Sequence, residues 1–241
     1  MQITTTTIRL KTSEGEMKCH QAQPRGQGRF PGVIVIMEAF GLNDHIKDVA
    51  ERIGREGYVT IAPDLYYREP QNVVGYDQLG AAIALMQKLV DDKVVADLRA
   101  VINHLTAQNF VNAERIGITG FCMGGRIAFL AACKFPDEIK AAVPFYGGSI
   151  ADDSPAAPLN VAGALRAPVL CFFGEQDPYI PLAAVRKIDD TLRLLGKLYA
   201  VKVYPGAEHG FFCDERASYH PDAAQDAWER TKVWFATHLK G

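Results

Sequence analysis

Short apolar runs alternate along this chain with longer stretches in which apolar residues recur every three or four positions. Val33-Ile-Val-Ile-Met37, Tyr58–Ala62, Arg115–Thr119, Ala141–Tyr146, Pro168–Phe173 and Tyr199–Tyr204 each read as a strand. Most of these runs are continuously apolar, the pattern of strands covered on both faces in a parallel sheet. Between them, Ile46, Val49, Ala50 and Ile53 fall on one helical face behind the cap candidates Asn43 and Asp44, and Gly57 offers a stop. Leu79 to Leu105 hold one apolar face for many turns, which predicts a long helix kinked at Asp91-Asp92. Further helices are predicted over Met123–Phe135, Pro181–Leu195 and Asp222–Leu239. Thr4–Leu10 and Glu16–Gln23 flank a Ser-Glu-Gly turn and predict an N-terminal antiparallel hairpin. Ala151–Pro158, rich in Ala, Pro and Asp, reads as a surface loop. The alternation predicts an α/β protein: a doubly wound, mostly parallel twisted sheet with helices on both faces and right-handed crossovers. Residues 1–241 read as a single domain.

Composition narrows the function. The 26 Lys+Arg against 28 Asp+Glu leave a formal charge of −2, without the basic excess that nucleic acid or an anionic membrane selects. No apolar run approaches the ~18 residues of a membrane span. The start, MQITTTTIRLK, lacks the basic and apolar regions of a secretory signal. Five cysteines at irregular spacing suit a reducing, cytoplasmic compartment better than a disulfide framework. The expected partner is a small molecule, with no cofactor and no metal. His209 and Cys213 stand four apart, but no second ligand pair has zinc-type spacing.

The strongest chemical signal is Thr119-Gly-Phe-Cys122-Met-Gly-Gly125, lying between a strand and an apolar helix. It has the glycine–x–nucleophile–x–glycine arrangement of a nucleophile elbow. Such a turn exposes residue 122 at a helix N-terminus, where the dipole and backbone N–H groups favour a thiolate. The N–H of Met123 can then face a developing oxyanion. A cysteine nucleophile needs a base and a group to orient it. Asp177 follows the strand Pro168–Phe173 and His209 follows Tyr199–Tyr204, in the order nucleophile, acid, histidine that this topology uses. Taken singly, Asp177 also reads as a helix N-cap and His209 as a loop histidine. Glu38 ends an apolar strand, where a carboxylate must face a cleft or find a partner. It also reads as a cap of the following helix or an acceptor for loop amides. Asp64 and Pro63 read as turn formers.

Gly-Phe-Cys122-Met-Gly-Gly, Gly-Glu-Gln-Asp177-Pro and Gly-Ala-Glu-His209-Gly-Phe together resemble the dienelactone hydrolase family. Met37-Glu38-Ala-Phe-Gly-Leu-Asn43 and Ala62-Pro-Asp-Leu-Tyr66 are similar to two further segments of that family. The resemblance runs from about residue 30 to the C-terminus. It implies an α/β-hydrolase fold with a Cys122–His209–Asp177 triad. It also implies that Glu38 contacts the resting thiol until substrate displaces it, and that the N–H of Ala39 joins that of Met123 in the oxyanion hole. The family's founding enzyme grips a substrate carboxylate with two arginines, whose positions here fall at Leu79 and Cys213. Arg68 or Arg216 is then the candidate cation, and Arg68, Phe40 and Phe211 are candidate substrate contacts.

The expected activity is therefore carboxylic-ester hydrolysis by a cysteine nucleophile, on a small ester, enol-lactone or thioester. The alternative is a non-hydrolytic ligand-binding or thiol redox-sensing protein on the same fold, which would need neither Asp177 nor His209.

Overall fold

In a computed structural model describing residues 1–241, the chain forms eight strands and six α-helices. Its backbone clusters into two units, 1–117 and 118–241, the division along the chain falling within strand β5 (Val111–Phe121).

The first unit begins with the predicted hairpin. Strands β1 (Ile3–Thr12) and β2 (Gly15–Pro24) pair antiparallel from Ile3↔Pro24 to Thr12↔Gly15, leaving Ser13-Glu14 as the loop. Strand β2 then pairs antiparallel with β4 (Val59–Pro63), and β3 (Phe30–Ile36) runs parallel to β4. The strand order is β1-β2-β4-β3-β5. Every residue of β4 is buried, which is why that run carries no polar alternation. Helix α1 (Asp44–Arg55) buries the predicted stripe of Ile46, Val49, Ala50 and Ile53 against β2, β3 and β4. Its cap is Asn43, whose Oδ1 accepts the Ile46 N–H at 3.1 Å.

The long helix expected over Leu79–Leu105 is instead two: α2 (Leu79–Met86) and α3 (Asp91–Ala107). The N–H groups of Gln87, Lys88 and Leu89 fold back onto the carbonyls of Ile83, Leu85 and Met86, closing α2. The restart places Asp91 and Asp92 in the first turn of α3, where the helix dipole favours negative charge. Hydrophobic periodicity reports which face is apolar; it does not report continuity of the backbone hydrogen bonds.

An ion-pair network centred on one buried carboxylate ties α3 to the hairpin turn. Asp97, 1% exposed, accepts from Arg68 Nη1 and Nη2 at 2.8 and 3.0 Å and from the Tyr67 hydroxyl at 3.0 Å. Arg68 Nε donates to Glu14, which also takes Lys93 Nζ at 2.7 Å.

In the second unit, the end of β5 is followed in the sheet by β6 (Ile139–Phe145), β7 (Val169–Gly174) and β8 (Tyr199–Tyr204). The β6–β7 and β7–β8 pairs are parallel. Strand β7 is buried throughout, whereas β8 is half-buried up to Tyr204, as befits an edge. Helices α4 (Met123–Lys134), α5 (Leu182–Leu194) and α6 (Pro221–Phe235) match the three expected here, and a π-helical turn carries the last to Lys240. The expected loop at 151–158 gives way at Pro158 to a short 3-10 helix reaching Ala164. Phe121, Phe145, Phe172 and Phe212 form a continuous aromatic core, with Phe145 centred 4.7–4.9 Å from the other three.

Removing Asp97 leaves the Arg68 guanidinium with Glu14 alone. Asp97→Ala is expected to cost about 2–3 kcal/mol, somewhat below the usual penalty for breaking a buried pair because Arg68 is partly exposed. Thermal melting tests this: an unchanged midpoint would reduce the network to a surface ornament.

Candidate active site

The second unit assembles a hydrogen-bonded chain from three strand ends. Strand β5 ends at Phe121 and α4 starts at Met123, so Cys122 alone makes the turn. Its backbone sits at φ 57°, ψ −119°, a conformation that L residues rarely adopt. Three contacts impose it. The Cys122 N–H donates to Phe145 O at 3.1 Å, and its carbonyl accepts from Gly125 N (3.0 Å) and Arg126 N (3.3 Å). A Cβ on Gly125 would lie 2.4 Å from Phe145 O, so only glycine lets α4 start this close to β6. No side chain caps α4, which leaves its N-terminal dipole directed at the Cys122 position.

The acid and histidine loops are fastened to each other. Gly174 ends β7 where a Cβ would meet Ala207 O at 2.3 Å. Glu175 N donates to Tyr204 O and Gln176 N to Ala207 O, both at 2.9 Å. Asp177 Oδ1 accepts the N–H groups of Tyr179 (2.8 Å) and Ile180 (3.2 Å), and Oδ2 accepts His209 Nδ1–H at 2.8 Å. The carboxylate thus caps its own turn with one oxygen and orients the imidazole with the other. It does not cap α5, whose N-cap is Pro181.

His209 is buried, and burial by itself disfavours its charged form. The hydrogen bonds with Asp177 and with Cys122, and the charges of both, outweigh that and raise it to about 10. Both partners of the ring, Asp177 and Cys122, therefore favour its protonated form. Two tyrosines flank the ring: Tyr146 at 5.1 Å and Tyr179 at 5.2 Å between centroids. Tyr146 is buried at φ 35°, whereas Tyr179 is 60% exposed. Neither belongs to the motifs read from the sequence. Tyr146 ahead of Gly147-Gly148 at a strand end, and Tyr179 two residues beyond the acid, were the available signals. Cys122 is the only cysteine that is not buried. Burial pushes the thiols of Cys19, Cys133 and Cys171 up to about 12, so they are poor nucleophiles.

The first unit holds the other expected residues. Glu38 follows β3 and is fully buried. Its Oε2 accepts the Tyr76 hydroxyl at 3.3 Å, and its carbonyl accepts Gly41 N at 3.1 Å. The cap of α1 is Asn43, so Glu38 does not fill that role. The Ala39 carbonyl accepts the Tyr66 hydroxyl at 3.1 Å. Phe40 is buried against Tyr76, 4.7 Å between centroids. Asp64 forms the expected turn, accepting Tyr66 N at 3.0 Å. Arg68, expected to offer substrate a cation, is engaged by Asp97 and Glu14. Phe211, also expected at substrate, is fully buried between Tyr146 and Tyr204. Leu79 is exposed and Cys213 buried. Arg216 lies over Gly210, the residue after His209: a Cβ there would meet its guanidinium Cζ at 2.4 Å.

Residues 17–239 match the model of the Dienelactone hydrolase family. A Synechocystis protein named a carboxymethylenebutenolidase is 38% identical over 246 residues, covering 100% of this chain and 99% of that one. A Bradyrhizobium protein named a 2-oxo-3-(5-oxofuran-2-ylidene)propanoate lactonase is 34% identical, covering 95% of this chain and 93% of that one. The crystal structure of a dienelactone hydrolase from Klebsiella pneumoniae superposes with a TM-score of 0.89 at 36% identity, covering 99% of this chain and 100% of that one.

The raised pKa of His209 makes stability depend on pH. A group raised on folding stabilises fully below its unfolded value, near 6.5, and loses that contribution as pH climbs to about 10. Melting temperatures taken from pH 6.5 to 10 should therefore fall more steeply for the wild type than for His209→Gln. Parallel curves would mean that the imidazole carries no extra proton in the folded state.

Proposed function

The chain belongs to the dienelactone hydrolase family, has its α/β-hydrolase fold and is a hydrolase of carboxylic ester bonds; from that premise we propose that Cys122 is its nucleophile. The observation that carries this reading is the chain of hydrogen bonds from Asp177 through His209 to Cys122. The proposed substrate is a small ester, enol-lactone or thioester. Two named relatives support the lactone class: the carboxymethylenebutenolidase and the oxofuranylidene-propanoate lactonase.

In the proposed mechanism the sulfur of Cys122 attacks the acyl carbon, and the carbonyl π electrons move onto oxygen. The N–H of Met123, at the start of α4, and that of Ala39 donate to this oxyanion. As the intermediate collapses, the carbon–oxygen bond to the leaving group breaks and His209 hands the leaving oxygen its proton. Acylation also removes the negative sulfur that helped to hold that proton on His209. The imidazole then stands neutral and takes a proton from water as the water attacks the thioester; the carbon–sulfur bond then breaks, releasing the acid and returning the electron pair to the Cys122 sulfur beside the protonated imidazole. Asp177 keeps Nδ1–H directed at itself, so Nε2 is the nitrogen that works in both steps. Glu38 belongs to the same machinery in this proposal. The five unbridged cysteines suit the reducing cytoplasm as its setting.

Cys122→Ala should abolish turnover, and peptide mapping after a slow acyl donor should place the adduct on Cys122. His209→Ala should lower turnover by roughly 10²–10⁴, the scale of losing positioned acid–base catalysis. A pre-steady-state burst on an aryl ester separates this enzyme from a thiol sensor. Wild-type activity in Cys122→Ala would remove the nucleophile from the proposal.

With Leu79 and Cys213 at the two positions where the founding enzyme carries arginines, and Arg68 committed to carboxylates, a neutral ester should outcompete its carboxylate-bearing analogue in kcat/KM. A preference for the anionic analogue that Arg216→Ala abolishes would reverse this and make Arg216 the anchor.

A further inference from the structure

A fully buried carboxylate such as Glu38 needs a donor, and the structure shows how one donor is aimed at it. The Tyr76 hydroxyl lies 3.3 Å from Glu38 Oε2 and 2.9 Å from Asn43 Nδ2. A phenol has one proton and accepts through its lone pairs. The Asn43 amide can only donate through Nδ2, so the phenol accepts from it and its single proton points to Glu38. The orientation of that amide is itself fixed, because Asn43 Oδ1 is the cap of α1 and accepts Ile46 N at 3.1 Å. The direction of one proton is thus set by the first turn of a helix.

The backbone around Tyr76 is held as firmly as its hydroxyl. Val74 N donates to Phe40 O at 3.1 Å, and Gly41 forms an antiparallel bridge with Val73. Gly41 sits at φ +92°, and a Cβ there would lie 2.0 Å from Asn72 O, so a strap of residues 72–76 runs directly along 40–42. The Tyr76 ring leans on Phe40 with centroids 4.7 Å apart. None of these backbone contacts uses the Glu38 side chain. The carboxylate is therefore held by a directed hydrogen bond inside a loop that does not need that bond to keep its shape.

We propose that Tyr76, its hydroxyl directed by Asn43, is a positioning residue that holds Glu38 in its working orientation for hydrolysis. This rests on Glu38 acting in the reaction, as the proposed function has it. In this proposal Tyr76 acts on the reaction through Glu38, the carboxylate its hydroxyl meets.

Tyr76→Phe keeps the ring against Phe40 and removes only the hydroxyl. It should lower kcat on a fixed ester by about ten- to a hundredfold, the scale of losing a hydrogen bond to a charged group, with KM nearly unchanged. Asn43→Ser retains a helix cap but no amide donor, and should give a smaller loss in the same sense. The decisive measurement is the double-mutant cycle with Glu38→Ala. If Tyr76 acts through Glu38, adding Tyr76→Phe to Glu38→Ala lowers kcat no further. Thermal melting checks each variant, and Glu38→Gln replaces Glu38→Ala in the cycle if the latter does not fold, with the Tyr76→Phe loss then expected to shrink. Wild-type kcat in Tyr76→Phe, or an equal loss in both backgrounds, overturns the proposal. Wild-type kcat in Glu38→Ala overturns it too. All three outcomes are separate from the fate of the nucleophile, which Cys122→Ala decides independently.

Discussion

The hydrogen-bonded chain of Asp177, His209 and Cys122 depends on a backbone that would not adopt its shape unaided. Cys122 sits in a left-handed conformation because the end of β5, the carbonyl of Phe145 on β6 and the first turn of α4 leave it no other. Strain of this kind, of order 1–3 kcal/mol, persists only where surrounding structure over-determines it. Gly125 supplies the closeness and the aromatic core of Phe121, Phe145 and Phe172 supplies the rigidity. The outcome is a thiol at the tip of a tight turn, with a helix dipole behind it and an imidazole before it.

From that turn follows the division of labour among the charged groups. Asp177 and His209 come from loops tied together by Gly174 and two backbone hydrogen bonds, so their 2.8 Å contact is held by backbone on both sides. Burial opposes a charged imidazole, yet the bonds to Asp177 and Cys122 prevail. A proton held so firmly would make a poor base in a free enzyme. In the proposed mechanism that proton serves the leaving group, and acylation of the sulfur then frees the imidazole to act as the base of the second step. The remaining cysteines are kept out of this chemistry by burial.

Elsewhere, charged side chains have partners that the sequence does not reveal. Arg68 reads in sequence like a spare cation near a strand end, yet three of its nitrogens are taken up by Asp97 and Glu14. Glu38 reads like a lone buried acid, yet a tyrosine, an asparagine and a helix cap stand in line behind it. In both cases the partner lies dozens of residues away, and only folding brings it close.

Strand and helix order, the hairpin, the elbow around Cys122 and the placement of Asp177 and His209 after successive strands are all legible in the chain alone. These are local facts: periodicity, glycine spacing and chain order are written in consecutive residues. The structure decided what depends on distance across the chain. It divided the Leu79–Leu105 pattern into two helices, because backbone hydrogen bonds close at Leu89 although the apolar face runs on. It bound Arg68 to Asp97, buried Phe211, set Tyr146 and Tyr179 against His209 and aimed Tyr76 at Glu38. A side chain's partner is fixed by packing, and packing brings together residues whose separation along the chain carries no signal.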